Sequence, residues 1–138
     1  MPNRKVIVSF DFDSTLATRK MQMLLSVFDR SKVEVFIVTS RCPTSDINKN
    51  EDLVKVAKAF GIEDDHIICT DGGWKSKTLE QIGADIHFDD MPDEIAMINN
   101  ECTMTLGALV SKDIWGDLKY LETCEPVGSI QTDLDEFD

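Results

Sequence analysis

Two acids one residue apart, Asp11 and Asp13, close the apolar run Val6-Ile7-Val8-Ser9-Phe10. Carboxylates held that close resist joint ionisation, so one of the two pKa values should rise. Phosphoryl transfer uses both states. The ionised acid attacks phosphorus, and a neighbour poised near neutral pH protonates the leaving oxygen and later deprotonates water. A turn-capping role explains the same D-x-D equally well while these two residues stand alone.

A second acidic pair, Asp89-Asp90, ends the run Ile86-His87-Phe88, and Asp93 follows one helical turn later. Alone, the pair reads as a cap for the helix that Pro92 opens. Beside Asp11 and Asp13, a site so rich in carboxylates needs a cation. Oxygen donors on strand ends suit Mg²⁺, which keeps several waters and takes one or two carboxylates plus phosphate. Asp11, Asp13, Asp89 and Asp90 are the expected metal ligands. Thr39, at the end of the run 33–38, offers a hydroxyl to a phosphoryl oxygen. Lys77, expected to open a helix, offers an ammonium, and Lys75 competes for that role. Ser14, Thr15, Ser40 and Arg41 flank the same strand ends and are the candidates for substrate contact. His87 on an apolar strand reads as a satisfied core histidine, His66 as a loop residue. Trp74 beside Gly72-Gly73 reads first as packing and second as a stacking surface for a base.

The elements that position these residues follow from periodicity. Short β-branched runs at 6–10, 33–38, 67–70 and 86–88 predict buried strands. Apolar residues at helical spacing predict helices over 16–30, from Asn50 to Phe60 with Gly61 as the stop, over 77–82, and from Pro92 to about Asn100. Residues 103–110 fit an edge strand or a helix, and 113–121 a helix. Strands alternating with helices predict a three-layer α/β/α, Rossmann-like parallel sheet whose ligand site lies beyond the carboxyl ends of the strands. Three of the four firm strands end in the residues singled out above.

A chain of 138 residues fits one domain, and residues 132–138 form an acidic tail. The net charge of −12 opposes an extensive grip on nucleic acid, which needs clustered Lys and Arg. No apolar run reaches membrane-spanning length, so a cytoplasmic protein without a membrane partner is expected. Cys42, Cys69, Cys102 and Cys124 lack the spacing of a zinc site or a disulfide framework.

Four segments in order now carry a family resemblance. VIVSFDFDSTL resembles the first motif of the haloacid dehalogenase superfamily, a hydrophobic strand followed by DxDx(T/V). FIVTSR matches the second motif at Thr39, Lys77 in KSKTLEQIGADIHFDD is similar in place to the third-motif lysine, and FDDMPDE looks like the acidic fourth motif. The resemblance implies strand order 5-4-1-2-3 and a phosphomonoester hydrolase working through an aspartyl-phosphate. In it Asp11 is nucleophile and Mg²⁺ ligand, and Asp13 is general acid–base and binds Mg²⁺ through its backbone carbonyl. Thr39 holds the phosphoryl group, Lys77 balances its charge, and Asp90 completes the metal site with Asp89 direct or through water. Only about twenty residues separate Asp13 from the second strand, so no cap domain fits there, and Ser14 stands where Gly is common in the family. By analogy with small capless members, the substrate is a phosphorylated small molecule, a nucleotide or a polynucleotide end. The alternatives are a receiver-like phosphoacceptor module and a catalytically inactive domain of the same fold. Oligomeric state is not legible in the sequence.

Overall fold

The computed structural model describes residues 4–42 and 50–110. The expected helix at 113–121 and the acidic tail lie outside the described residues.

Five parallel strands form one sheet: β1 (Val6–Phe10), β2 (Val33–Thr39), β3 (Ile67–Cys69), β4 (Ile86–Asp89) and β5 (Leu106–Leu109). Their order is β3-β2-β1-β4-β5, the expected 5-4-1-2-3 read from the other edge. The ambiguous segment after residue 102 resolves as the edge strand β5, which pairs with β4 from Ile86↔Leu106 to Asp89↔Leu109. Parallel strands need crossovers that cover both faces, and the core is accordingly split in two. On one face Val8, Phe10, Val35 and Ile37 pack with Met21 and Leu25 of α1 (Arg19–Ser26) and with Leu53, Val56 and Ala57 of α2 (Glu51–Ala59). On the other, Phe36 and Val38 pack with Leu79 of α3 (Ser76–Ile82) and with Ile95 and Ile98 of α4 (Pro92–Glu101). The architecture is α/β and compatible with a Rossmann-like fold.

The chain adds β2 and β3 on one side of β1, then crosses back to place β4 on the other. Strand order thus reverses at β1 and β4, and in an open α/β sheet that point opens a crevice beyond the carboxyl ends. Asp11 follows β1 and Asp89 ends β4. The backbone N–H of Asp11 donates to the carbonyl of Phe88 at 2.9 Å, which ties the two strand ends together.

The helix expected over 16–30 is shorter. A wide turn at Phe12–Leu16 comes first, with Asp13 and Ser14 out of helical conformation, closed by the N–H groups of Leu16 and Ala17 on the carbonyls of Asp11 and Phe12. Thr18 then caps α1, its hydroxyl accepting from the Met21 N–H at 3.3 Å and donating to the Thr15 carbonyl at 2.6 Å. Among the described residues, the link between β1 and β2 holds no further domain. No described helix is long and apolar enough to cross a membrane.

Candidate active site

Asp11 leaves β1 almost fully buried. Its Oδ1 accepts from Lys75 Nζ at 2.8 Å, and its Oδ2 lies 3.5 Å from the Thr15 hydroxyl, which is equally far from Asp90 Oδ1. Lys75 Nζ also donates to Asp89 Oδ2 at 2.6 Å. One buried ammonium therefore bridges the ends of β1 and β4.

Asp89 is wholly enclosed, and both of its oxygens are engaged. Oδ2 accepts from Lys75 and from His87 Nε2 at 2.8 Å, and Oδ1 accepts from the Met91 N–H at 3.1 Å. A carboxylate only accepts, so the imidazole proton belongs on Nε2. His87 Nδ1 is then the acceptor for the Ser9 hydroxyl at 2.6 Å. Burial pushes the His87 pKa down and keeps the ring neutral. The expected satisfied core histidine is found, with the added duty of orienting Asp89.

Charge is unevenly shared in this cluster. Burial opposes ionisation of Asp89, but the His87 hydrogen bond and the Lys75 charge outweigh it and hold its pKa below the ordinary value. Asp11 goes the other way. Burial, with Lys75 opposing and Asp89 adding to it, pushes its carboxyl up to about 8. Two acids share one ammonium, and Asp11 is the one that keeps a proton up to about pH 8. Oxygens of Asp11, Asp89 and Asp90 all lie within 4.8 Å of one another. A hard cation fits this donor set, because it would take the place of that proton and use only oxygen ligands. Asp90 is half-exposed and borders the cleft, whereas Asp89 has little acceptor capacity left.

The structure corrects the lysine. Lys77 is exposed and lines a separate depression with Glu80, Gln81 and Glu101, while Lys75 is 2% exposed and holds Asp11. Helix α3 starts at Ser76, one residue earlier than expected, so Lys75 is its N-cap residue and Lys77 already lies within the first turn. Residues four apart share a helix face. Counting back from buried Leu79 reaches Lys75, and Lys77 falls on the far side.

The second acid also has an unexpected partner. The Arg41 guanidinium grips Asp13 through two bonds, of 2.7 and 3.0 Å, and Asp52 through two more, of 2.8 and 3.0 Å. It sits 4.9 Å from the centre of the Phe12 ring. The Asp52 hydrogen bonds above all, then Asp13, raise the Arg41 pKa against the effect of burial. Arg41, expected at the substrate, instead orients Asp13 and anchors the start of α2. Thr39 is fully buried at the end of β2, its hydroxyl accepting from the Arg41 N–H at 3.3 Å. Ser14 and Ser40 border the cleft, and Thr15 is buried with its hydroxyl 3.5 Å from both Asp11 and Asp90. Ser14 takes φ +60°, a left-handed conformation that costs a non-glycine residue about 1 kcal/mol.

Asp11, Asp13, Ser14, Ser40, Lys75 and Asp90 thus meet at one cleft of about 380 Å³. Two contributors escaped the sequence reading. Glu94, whose Oε1 accepts the Lys75 N–H at 3.2 Å, was signalled only by its place in the first turn after Pro92. Asp52 had no signal at all. A larger cavity of about 600 Å³, lined by Lys5, Arg30, Glu34 and His66, opens at the opposite, amino-terminal ends of the strands. A scan against protein-family models, a search of curated proteins and a search of solved structures each returned no match.

Proposed function

We propose that this chain is a Mg²⁺-dependent phosphomonoester hydrolase of the haloacid dehalogenase type, with Asp11 as the nucleophile. The observation that carries the reading is the carboxylate of Asp11 at the strand-order reversal, gripped by buried Lys75 beside Asp89 and Asp90.

In the proposed reaction a carboxylate oxygen of Asp11 attacks phosphorus. The P–O bond to the alcohol breaks, and Asp13 passes a proton to the departing oxygen. Water then gives a proton back to Asp13 and attacks the phosphorus of the aspartyl-phosphate, releasing phosphate and restoring the Asp11 carboxylate. Arg41 fixes where the Asp13 carboxyl points. Lys75 balances charge on Asp11 in every state, taking the role first given to Lys77. Asp11 and Asp90, with the backbone carbonyl of Asp13 and with Asp89 direct or through water, would hold Mg²⁺. When bound, the ion supplies positive charge for the phosphoryl oxygens as negative charge builds on them.

A receiver-like phosphoacceptor fits less well. Such modules use the flavodoxin-like order 2-1-3-4-5, with another strand at the centre. In this chain β1 is central, and it is the strand that delivers Asp11.

The test is phosphate release from an aryl phosphate in millimolar Mg²⁺, compared with chelator. Many phosphates should appear per protein molecule, and Asp11→Asn should release none, since an amide cannot act as the nucleophile. A single equivalent of phosphate, or turnover that ignores Asp11→Asn, would end the proposal.

A further inference from the structure

Trp74 is 54% exposed, an unusual position for an indole in a chain with two tryptophans. It lines the same cleft as Asp11, and so does Met91, which is 51% exposed. The loop that bears Trp74 is tightly tied down. The N–H groups of Asp71 and Gly72 donate to the carbonyls of Arg41 and Ser40, at 3.1 and 2.8 Å. The Gly73 N–H returns to the Thr70 carbonyl at 3.1 Å, and the Thr70 hydroxyl donates to the Gly73 carbonyl at 2.8 Å. Asp71 and Gly72 both have positive φ, and a side chain on Gly73 would press the Thr70 carbonyl at 3.2 Å. A fixed loop therefore holds a half-exposed indole in the cleft that Asp11 also lines, and the next residue is Lys75.

The charge around the cleft narrows what can stack there. Among the described residues its remaining ionisable lining is acidic, with Asp90, Asp93 and Glu94 beside an Asp13 already paired with Arg41, and its lysine is bonded to Asp11 and Asp89. A ligand that brings further phosphates meets the like charge of Asp93 and Glu94, while a neutral planar ring is not repelled there. The volume of about 380 Å³ falls at the small-molecule end of binding sites.

We propose that Trp74 is a stacking subsite for the ring of a substrate that carries a single phosphate, a nucleoside monophosphate by chemical class, whose phosphate meets Asp11. This rests on the hydrolase reading and narrows it, because a phosphorylated polynucleotide end would carry its next phosphates into the acidic rim.

The experiment compares phosphate release from thymidine 5′-monophosphate, ribose 5-phosphate and a 5′-phosphorylated oligothymidylate, at matched ionic strength in Mg²⁺. Base–aromatic stacking predicts roughly a 10- to 100-fold higher kcat/KM for the mononucleotide than for the sugar phosphate, carried mainly by KM. Trp74→Ala should reduce that preference to about threefold or less, and Trp74→Phe should restore most of it. The oligonucleotide should be the poorer of the two thymidine substrates. Equal kcat/KM for nucleotide and sugar phosphate, or a Trp74→Ala defect shared by both, overturns the subsite. A separate arm titrates thymidine 5′-monophosphate into the Asp11→Asn variant and follows tryptophan fluorescence, with Asp11→Asn/Trp74→Phe as the reference. Saturable quenching that disappears with Trp74 supports the subsite even where no ester is hydrolysed, and in that case only the hydrolase reading fails. Absence of both quenching and turnover overturns the subsite as well.

Discussion

Lys75 shows how a site residue is decided by one position along a helix. Both lysines near α3 are plausible from composition, but one is enclosed between Asp11 and Asp89 and the other stands in solvent. The consequences of removing them should differ sharply. Lys75→Met leaves two buried carboxylates without their shared cation, a change that typically costs about 3–5 kcal/mol. Lys77→Ala removes an exposed charge and should shift stability by no more than about 0.5 kcal/mol. Urea melts of the two variants check this, and equal melting midpoints would contradict the assignment of Lys75. Asp11, Asp13 and Asp90 were legible because D-x-D and D-D close apolar runs. The Arg41–Asp13–Asp52 pairing was not, since it joins the end of β2 to the first turn of α2 across a loop that no local pattern describes.

The strands and helices were legible because each carries its own periodicity, and their ends were less so because ends depend on caps. The helix expected over 16–30 became a wide turn plus Arg19–Ser26, and Thr18 was the overlooked signal of a cap. Edge elements depend on partners that the sequence does not display. At the β2–β3 edge, His66 bonds Asp65 through Nδ1 at 2.7 Å and Glu34 through Nε2 at 2.6 Å, and stacks on Phe36 with ring centres 4.2 Å apart. Burial works against its charge, but the hydrogen bonds that it donates to Asp65 and Glu34 outweigh that and raise its pKa. A folded pKa above the unfolded value gives stability that is fully present below the unfolded value, near 6.5, and lost as pH rises through the folded one. Native protein and His66→Gln should therefore differ most in urea midpoint near pH 6. The gap should narrow as pH rises toward 9. A gap that widens with pH would show that the imidazole is held neutral.

At the scale of the molecule, the alternation of strands and helices was enough to predict an α/β parallel sheet, and the crossing from β3 back to β4 sets the cleft at its centre. The same crossing concentrates negative charge. Burial, with the smaller contribution of Asp89, has pushed Asp11 up to about 8 against the pull of Lys75, so the folded state without a cation binds a proton that the unfolded chain releases near pH 4. That contribution to stability is present below pH 4 and is lost as pH rises through about 8. Mg²⁺ should offset the loss. At a hundredfold excess over Kd, a ligand of the native state adds about 2.7 kcal/mol. The melting temperature should rise in millimolar Mg²⁺ relative to NaCl of equal ionic strength, and by more at pH 8 than at pH 6. Matching ionic strength is essential in a chain of net charge −12. Asp90→Asn should shrink the shift more than Asp93→Asn. Identical melting in the two salts would remove the cation from the account.

In the proposed reaction Asp11 itself carries the phosphoryl group, and the direct measurement is to locate that group on the chain. The Asp13→Asn variant, slowed in the acid–base steps, is mixed with an aryl phosphate in Mg²⁺, quenched in acid, digested and analysed by mass spectrometry. The leaving group of such an ester needs little protonation, so the first step should outrun the second. One phosphoryl group should appear on the peptide containing Asp11, and none should appear when Asp11→Asn is added to the same variant. A phosphoryl group on any other residue, or an unmodified Asp11 peptide while phosphate is being released, would contradict the account.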